Sequence, residues 1–272
     1  MHVAHLTANR WKTRSKCLIS PGRSQGSSPP KALLIDLDGT VLPPDDLPTT
    51  AVIEAVKAAS QLIPVGVASG RVQHEVGHYA RMFGLTGPQV ADNGATLLDP
   101  VTGRPLSSHS LNRGDAEHVI SVLQPEAMRL LVCDEGRMVF DPAEITHWTI
   151  SVIISEFPTH EEAVIWADRL QSDSVNTVVS LGNKDDWYMN CTKFGVDKGT
   201  GVRDFSRAVG IDPADLMVIG DGWNDLPMFR AAGHPVAMQG APDELLALAT
   251  AVVPGIENDG AAVAIEKYVL NA

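Results

Sequence analysis

The chain has 272 residues, 44% apolar and 20% charged, with 21 Lys and Arg against 33 Asp and Glu and a formal net charge of −12. A chain of this length buries a sizeable core without staples. The three cysteines (Cys17, Cys133, Cys191) lie far apart, which excludes a disulfide framework and any Cys-x-x-Cys zinc site and fits a reducing, cytoplasmic compartment. The acidic balance argues against nucleic acid and anionic membrane surfaces, and no apolar run approaches the roughly 18 residues that span a bilayer.

Residues 1–30 carry five basic residues, no acid, and a Ser-, Pro- and Gly-rich stretch without periodicity. They read as a disordered N-terminal extension. An acid-free start with Arg and Ser leaves organelle targeting open, whereas no apolar segment of signal-peptide length follows the charges. Order begins at Ala32 to Ile35, an unbroken apolar run of the kind a strand buried on both faces shows. A helix pattern follows at Val52, Ile53, Val56 and Ala59, with Asp46 as a candidate cap. Ile63 to Ala68 predicts a second buried strand. Arg71 to Phe83 predicts a helix closed by Gly84, and Gln89 to Ala91 a short third strand. This βαβαβ order points to a parallel sheet with helices on both faces.

Between 94 and 190 the pattern changes to paired short strands and two helices. The turn Asp99 to Gly103 predicts a hairpin, as does Asp134-Glu135-Gly136. Asp115 to Leu123 and His160 to Leu170 read as helices. Asn183 to Asp186 reads as a solvated hairpin turn, with contact to a substrate's leaving group as the alternative. The α/β rhythm resumes with a helix from Lys198 to Val209 and a buried strand at Leu216 to Ile219. The expected fold is therefore α/β: a Rossmann-like parallel-sheet core from 31–93 and 191–272, with an inserted α+β domain over 94–190.

Carboxylates fall at the ends of the predicted strands. Asp36 and Asp38 end the first one, Asp221 ends a later one, and Asp225 lies four residues beyond. Ligands of open α/β sheets sit outside the carboxyl ends of the strands, and residues two apart on extended backbone face the same way. Several ionised carboxylates share a site only around a cation, and oxygen ligands of this kind suit Mg²⁺ together with a substrate phosphate. A carboxylate nucleophile forms an aspartyl-phosphate that water then hydrolyses, and a second carboxyl can move the protons. Ser69 and Gly70 stand at a predicted helix start, where backbone N–H groups bind anions. Lys198 opens a helix behind the candidate cap Asp197 and can place an ammonium on the same phosphate.

The segments Asp36-Leu37-Asp38-Gly39-Thr40, Ala68-Ser69-Gly70-Arg71, Asp197-Lys198-Gly199 and Gly220-Asp221-Gly222-Trp223-Asn224-Asp225 resemble, in order, the four motifs of the haloacid dehalogenase superfamily. The insertion is similar to the cap of its subclass IIB, the Cof-type and sucrose-phosphatase-like phosphatases. The resemblance covers residues 31 to 270. It implies Asp36 as nucleophile and metal ligand, and Asp38 as general acid/base with its backbone carbonyl also on the metal. Ser69, Gly70, Lys198 and Asn224 would hold the substrate phosphate, Asp221 and Asp225 would complete the Mg²⁺ site, and Asn93-Gly94 would be the hinge into the cap. Met238 to Pro242 departs from the family pattern by lacking an asparagine, so no role is carried to that loop.

The expected activity is hydrolysis of a small phosphorylated metabolite, of sugar-phosphate or phosphoglycolate type. The alternatives are a phosphomutase of similar architecture and a catalytically silent phosphate-binding module. His74 and His78 share a helical spacing without a third ligand, which leaves no zinc site.

Overall fold

The computed structural model describes residues 28–182 and 186–272. The expected extension over residues 1–27, with Cys17, and the turn residues Asn183, Lys184 and Asp185 lie outside the described residues. The chain opens with β1 (Ala32–Ile35), α1 (Thr50–Ser60), β2 (Val65–Val67), α2 (Gln73–Met82) and β3 (Gln89–Ala91). It continues through β4 (Thr96–Leu98), β5 (Pro105–Ser108), α3 (Arg113–Leu123), β6 (Arg129–Asp134), β7 (Arg137–Val139) and β8 (Ile150–Phe157). After α4 (His160–Leu170), β9 (Val175–Leu181) and β10 (Trp187–Lys193) come α5 (Lys198–Val209), β11 (Leu216–Gly220) and α6 (Leu226–Ala231). β12 (His234–Met238), α7 (Asp243–Leu248), β13 (Ala251–Val253) and α8 (Gly260–Ile265) close it.

The first sheet has the order β13-β12-β11-β1-β2 and is parallel throughout. β1 pairs with a strand on each side and all four of its residues are buried, which is why its sequence is uniformly apolar. Leu33 and Ile35 join the apolar cluster of α1, α2 and α8, while Ala32 and Leu34 join that of α5 and α6 on the other face. Alternate residues of one strand thus serve two helix layers.

Asp46, expected to cap α1, does not. Thr49 takes that place, its hydroxyl accepting from Val52 N at 3.2 Å, because Asp46 sits at φ +61° with its carboxylate on Arg71. α2 begins at Gln73, so Ser69 and Gly70 lie in the loop before the helix and not at its first turn. The hairpin β4–β5 pairs with β3. Leu97 shares the cluster of Val202 and Phe205, and Leu98 that of Val76 and Ala80. Residues 96–108 therefore pack with the parallel sheet's helices, not with the antiparallel sheet that follows them in the chain.

That second sheet has the order β7-β6-β8-β10-β9 and is antiparallel. α3 and α4 cover one face through Val119, Leu123, Ala163 and Leu170, which meet Ile153, Phe157, Met189 and Cys191. The alternate residues Leu131, Ile154, Glu156, Tyr188 and Asn190 line a cavity of about 550 Å³ together with Asp36, Asp38 and Asp221. The bare face of the second sheet thus looks onto the carboxyl ends of β1 and β11. The three-residue turn 92–94 enters this region, with Asn93 in the left-handed region at φ +53°. At Gly94 a Cβ would lie 1.9 Å from the Asp197 carbonyl oxygen, so only glycine fits against the start of α5. Among the described residues no helix is long and apolar enough to cross a membrane.

Candidate active site

β1 and β11 are neighbours in the register Ile35 to Ile219, so Asp36 and Asp221, each the first residue beyond its strand, leave the sheet one step apart on adjacent strands. Oxygens of Asp36, Asp221 and Asp225 lie within 4.8 Å of one another. Lys198, fully buried as the first residue of α5, donates from Nζ to Asp36 Oδ1 at 2.7 Å and to Asp225 Oδ1 at 2.6 Å. α5 is fixed at that end by Asp197, whose carboxylate accepts from Thr200 N at 3.0 Å. The other oxygen of Asp225 accepts from the backbone N–H groups of Asp221 (3.0 Å) and Gly222 (3.1 Å), which fixes the loop after β11. Thr40 Oγ1 donates to Asp221 Oδ1 at 2.8 Å.

Burial pushes the Asp36 carboxyl well above the ordinary carboxylate range, the Asp225 charge adds to the rise, and Lys198 opposes it. Burial and Asp225 push Asp221 up to about 7 against the Thr40 hydrogen bond. Burial alone would lower the Lys198 ammonium, but Asp225 and Asp36 reverse this and hold it above its usual value. Three carboxylates and one ammonium leave two negative charges uncompensated when all are ionised. A divalent cation fits that deficit, and the all-oxygen donor set suits it.

Asp38 stands apart from this cluster. Its carboxylate is forked on Arg71, which donates from Nη2 at 2.6 Å and from Nε at 3.0 and 3.1 Å. Arg71 also pairs with Asp46 and packs against the Tyr79 ring. The structure therefore brings Asp36, Asp38, Asp221, Gly70 and Asn224 to the cavity wall. Ser69, Lys198 and Asp225 are buried behind it. The Ser69 hydroxyl accepts from Arg71 N at 3.1 Å.

Gly39 turns the chain between Asp38 and Thr40 at φ +74°, where a Cβ would lie 2.2 Å from Asp221 Oδ2. Gly39→Ala is therefore expected to displace the Asp221 carboxylate, lowering kcat/KM at least about tenfold and Tm by several degrees. Steady-state kinetics with a melting curve checks this. A variant matching wild type in both would show that the turn tolerates a side chain.

Several contacts around the site carry no signal in the sequence. Asn190 on β10 is buried with its Oδ1 unpartnered, and its Nδ2 would lie 3.6 Å from a Cβ at Gly70. Trp223, about half exposed within the fourth motif, stacks over His160 of α4 (centroids 6.3 Å apart, planes at 22°). His160 in turn meets Trp187 at 4.3 Å. These rings join the loop after β11 to the antiparallel sheet. An i-to-i+4 rule finds partners within a helix, but no spacing rule pairs residues 27 or 63 positions apart.

The family model of the haloacid dehalogenase-like hydrolases matches residues 33–188 and 143–265. The chain belongs to that family. It is 29% identical over 237 residues to a phosphoglycolate phosphatase of Methanopyrus kandleri, covering 86% of this chain and 95% of the relative. It is 26% identical to the 5-amino-6-(5-phospho-D-ribitylamino)uracil phosphatase of Bacillus subtilis, covering 87% and 97%. A haloacid dehalogenase-like hydrolase from Bacteroides thetaiotaomicron superposes at TM-score 0.73 with 20% identity, over 87% of this chain and 98% of that one. A subclass IIB sugar phosphatase of the superfamily superposes at TM-score 0.73 with 20% identity, over 88% and 98%. The fold is that of a subclass IIB hydrolase.

Proposed function

We propose that this enzyme, a phosphoric monoester hydrolase, is a Mg²⁺-dependent phosphatase that cleaves a small phosphorylated metabolite through an aspartyl-phosphate on Asp36. The observation that carries this reading is Asp36 at the cavity wall, bonded to the buried Lys198 and beside Asp221 and Asp225, with Asp38 on the same wall. Asp36, Asp221, Asp225 and the backbone carbonyl of Asp38 would hold the cation, which when bound neutralises charge between Asp36 and the phosphoryl oxygens. Asp36 attacks phosphorus, the bond to the leaving oxygen breaks, and Asp38 delivers its proton to that oxygen. Asp38 then takes a proton from water as the water oxygen attacks phosphorus, releasing phosphate and restoring Asp36. Lys198 and the Ser69–Gly70 loop hold the phosphoryl group, with Asn224 beside it.

In this reading the antiparallel sheet with α3 and α4 is the cap. Because residues 96–108 pack with the core, its first boundary moves from 94 to about 109 and its second to 193. Phosphate release from metabolite phosphates and p-nitrophenyl phosphate, with Mg²⁺ and with excess chelator, tests the function. Turnover that disappears with chelator is expected. Full activity in excess chelator overturns the metal assignment, and no release from any ester overturns the phosphatase reading.

The raised Asp221 carboxyl also predicts a stability effect. Its folded value of about 7 lies above the unfolded one of about 4. Between these values the native state holds a proton that the unfolded chain has released, so this contribution is full below about pH 4 and is lost as pH rises towards 7. Chelated protein should therefore melt lower at pH 8 than at pH 5, and Mg²⁺ should raise Tm more at pH 8. Equal Mg²⁺ effects at both pH values would remove Asp221 from the site.

A further inference from the structure

The face of the antiparallel sheet that looks onto the aspartates is ordered in rows by its strand register. Met138, Cys133 and Val152 stand in the first row, which packs on Val72 of the loop before α2. Leu131, Ile154 and Asn190 form the second row, and Arg129, Glu156, Tyr188 and Ser180 the third. Asn190 and Glu156 are therefore diagonal neighbours on adjacent strands, about 7–8 Å apart, and one small group between their side chains can touch both. Asn190 is 3% exposed, lines the cavity and presents Oδ1 without a hydrogen-bond partner. Its Nδ2 would lie 3.6 Å from a Cβ at Gly70, which sets this amide beside the loop assigned to the phosphoryl group. Beyond Asp36, Asp38 and Asp221 the cavity wall carries four carboxylates, Asp46, Glu75, Glu156 and Asp186, against Arg71 and Arg129. Arg71 is shared by Asp38, Asp46 and Glu75, and Arg129 lies over the Phe140 ring. Among the described residues no basic side chain pairs with Glu156, although Arg129 stands opposite it. Burial pushes the Tyr188 hydroxyl above its ordinary value, and the charges of Glu156 and Asp186 add to the rise against Arg129 and Arg71. Residues 183–185 add one charge of each sign and leave this balance as it is.

We propose that the leaving group carries an ammonium, a short carbon chain or one sugar ring away from the phosphate, and that Glu156 and Asn190 Oδ1 bind it with the Tyr188 ring alongside. This rests on the phosphatase reading and narrows it. Two independent features of the wall ask for the same chemistry. The carboxylates in excess call for a positive charge, and the buried Asn190 oxygen without a partner calls for a hydrogen-bond donor. An ammonium is a cation with three donors and no acceptor, so it answers both. A hydroxyl in its place would satisfy Asn190 and leave the Glu156 charge unanswered. A carboxylate would stand against both the Glu156 charge and the Asn190 oxygen, which is repulsion at short range. The wall therefore sorts esters by the charge of the leaving group, partly by attraction and partly by rejection. Tyr188, next to Glu156 in its row and two residues from Asn190, offers a ring face to the same cation.

The test uses the full-length enzyme with Mg²⁺ and two pairs of esters that differ in charge on a matched skeleton. Phosphoethanolamine is set against phosphoglycolate, and glucosamine 6-phosphate against glucose 6-phosphate, with p-nitrophenyl phosphate as the reference. In at least one pair the ammonium ester should exceed its partner in kcat/KM by about tenfold or more. Glu156→Gln, which keeps size and removes the charge, and Asn190→Ala, which removes the oxygen, should each cut that ratio at least about fivefold. Both esters of a pair are read on the same variant, so a loss of folded protein cancels from the ratio. A preference below tenfold in both pairs overturns the proposal, as does a smaller cut in either variant. Turnover of p-nitrophenyl phosphate alone overturns it too and leaves the phosphatase reading standing. Release from none of the five esters overturns that reading itself.

Discussion

Asp36→Asn is expected to abolish turnover of every ester, a loss on the order of 10⁴-fold or more, the scale that removal of a nucleophile produces. The amide is isosteric and keeps its place beside Lys198, so the fold survives while the attacking oxygen loses its charge. No phosphoenzyme should form. Asp38→Asn should fail differently, because Asp38 lies outside the cluster on Lys198 and in the proposed mechanism moves the protons. A sugar alkoxide is a poor leaving group and needs a proton, so this variant loses roughly 10²–10⁴ on metabolite esters. p-Nitrophenolate leaves without one. Asp38→Asn should therefore accept phosphate from p-nitrophenyl phosphate and then stall, since no base activates the hydrolytic water. The signature is a burst of nitrophenol near one equivalent of enzyme, with an acid-stable label on Asp36. Wild-type rates for Asp38→Asn on both ester types would show that the proton is handled elsewhere.

These two residues were legible because buried parallel strands write themselves as apolar runs, and the first polar residue after the run is where the sheet opens onto solvent. The same reasoning reaches Asp221, and Asp197 followed by Lys198 is a readable helix start. It fails where a side chain's partner is set by tertiary approach. Asp46 precedes α1 closely enough to read as its cap, yet Arg71 holds it. The β4–β5 hairpin reads as part of the insertion because it follows residue 94, whereas Leu97 and Leu98 are drawn to α5 and α2 by the apolar area they bury there. The rows of the cap face are invisible for a related reason. Each strand shows alternation, but which residue stands opposite Glu156 depends on register, which only the assembled sheet fixes.

Lys198→Ala should damage both rate and stability, because its ammonium is the group shared by two buried carboxylates. In the folded protein it is fully buried, so nothing in the solvent replaces it. Removing one partner of a buried ionic cluster costs about 3–5 kcal/mol, since the remaining charges stay buried without compensation. Metal-free Lys198→Ala should therefore melt well below wild type. The drop should shrink at pH 5, where Asp36 and Asp221, already raised by burial, take up protons in place of the lost cation. Mg²⁺ should recover part of the stability but not the rate, because a cation among the carboxylates restores charge balance without supplying a donor where Lys198 stood. The rate loss should be about 10²–10³, the usual cost of deleting a preorganised electrostatic donor. Lys198→Arg should not rescue it, as a planar guanidinium does not fit a cavity that encloses an ammonium at 2.6 and 2.7 Å from two carboxylates. Melting curves at pH 5 and pH 8, with chelator and with Mg²⁺, and kcat on p-nitrophenyl phosphate read all of this. A Lys198→Ala enzyme that melts with wild type and turns over within twofold of it would place the ammonium outside the working site.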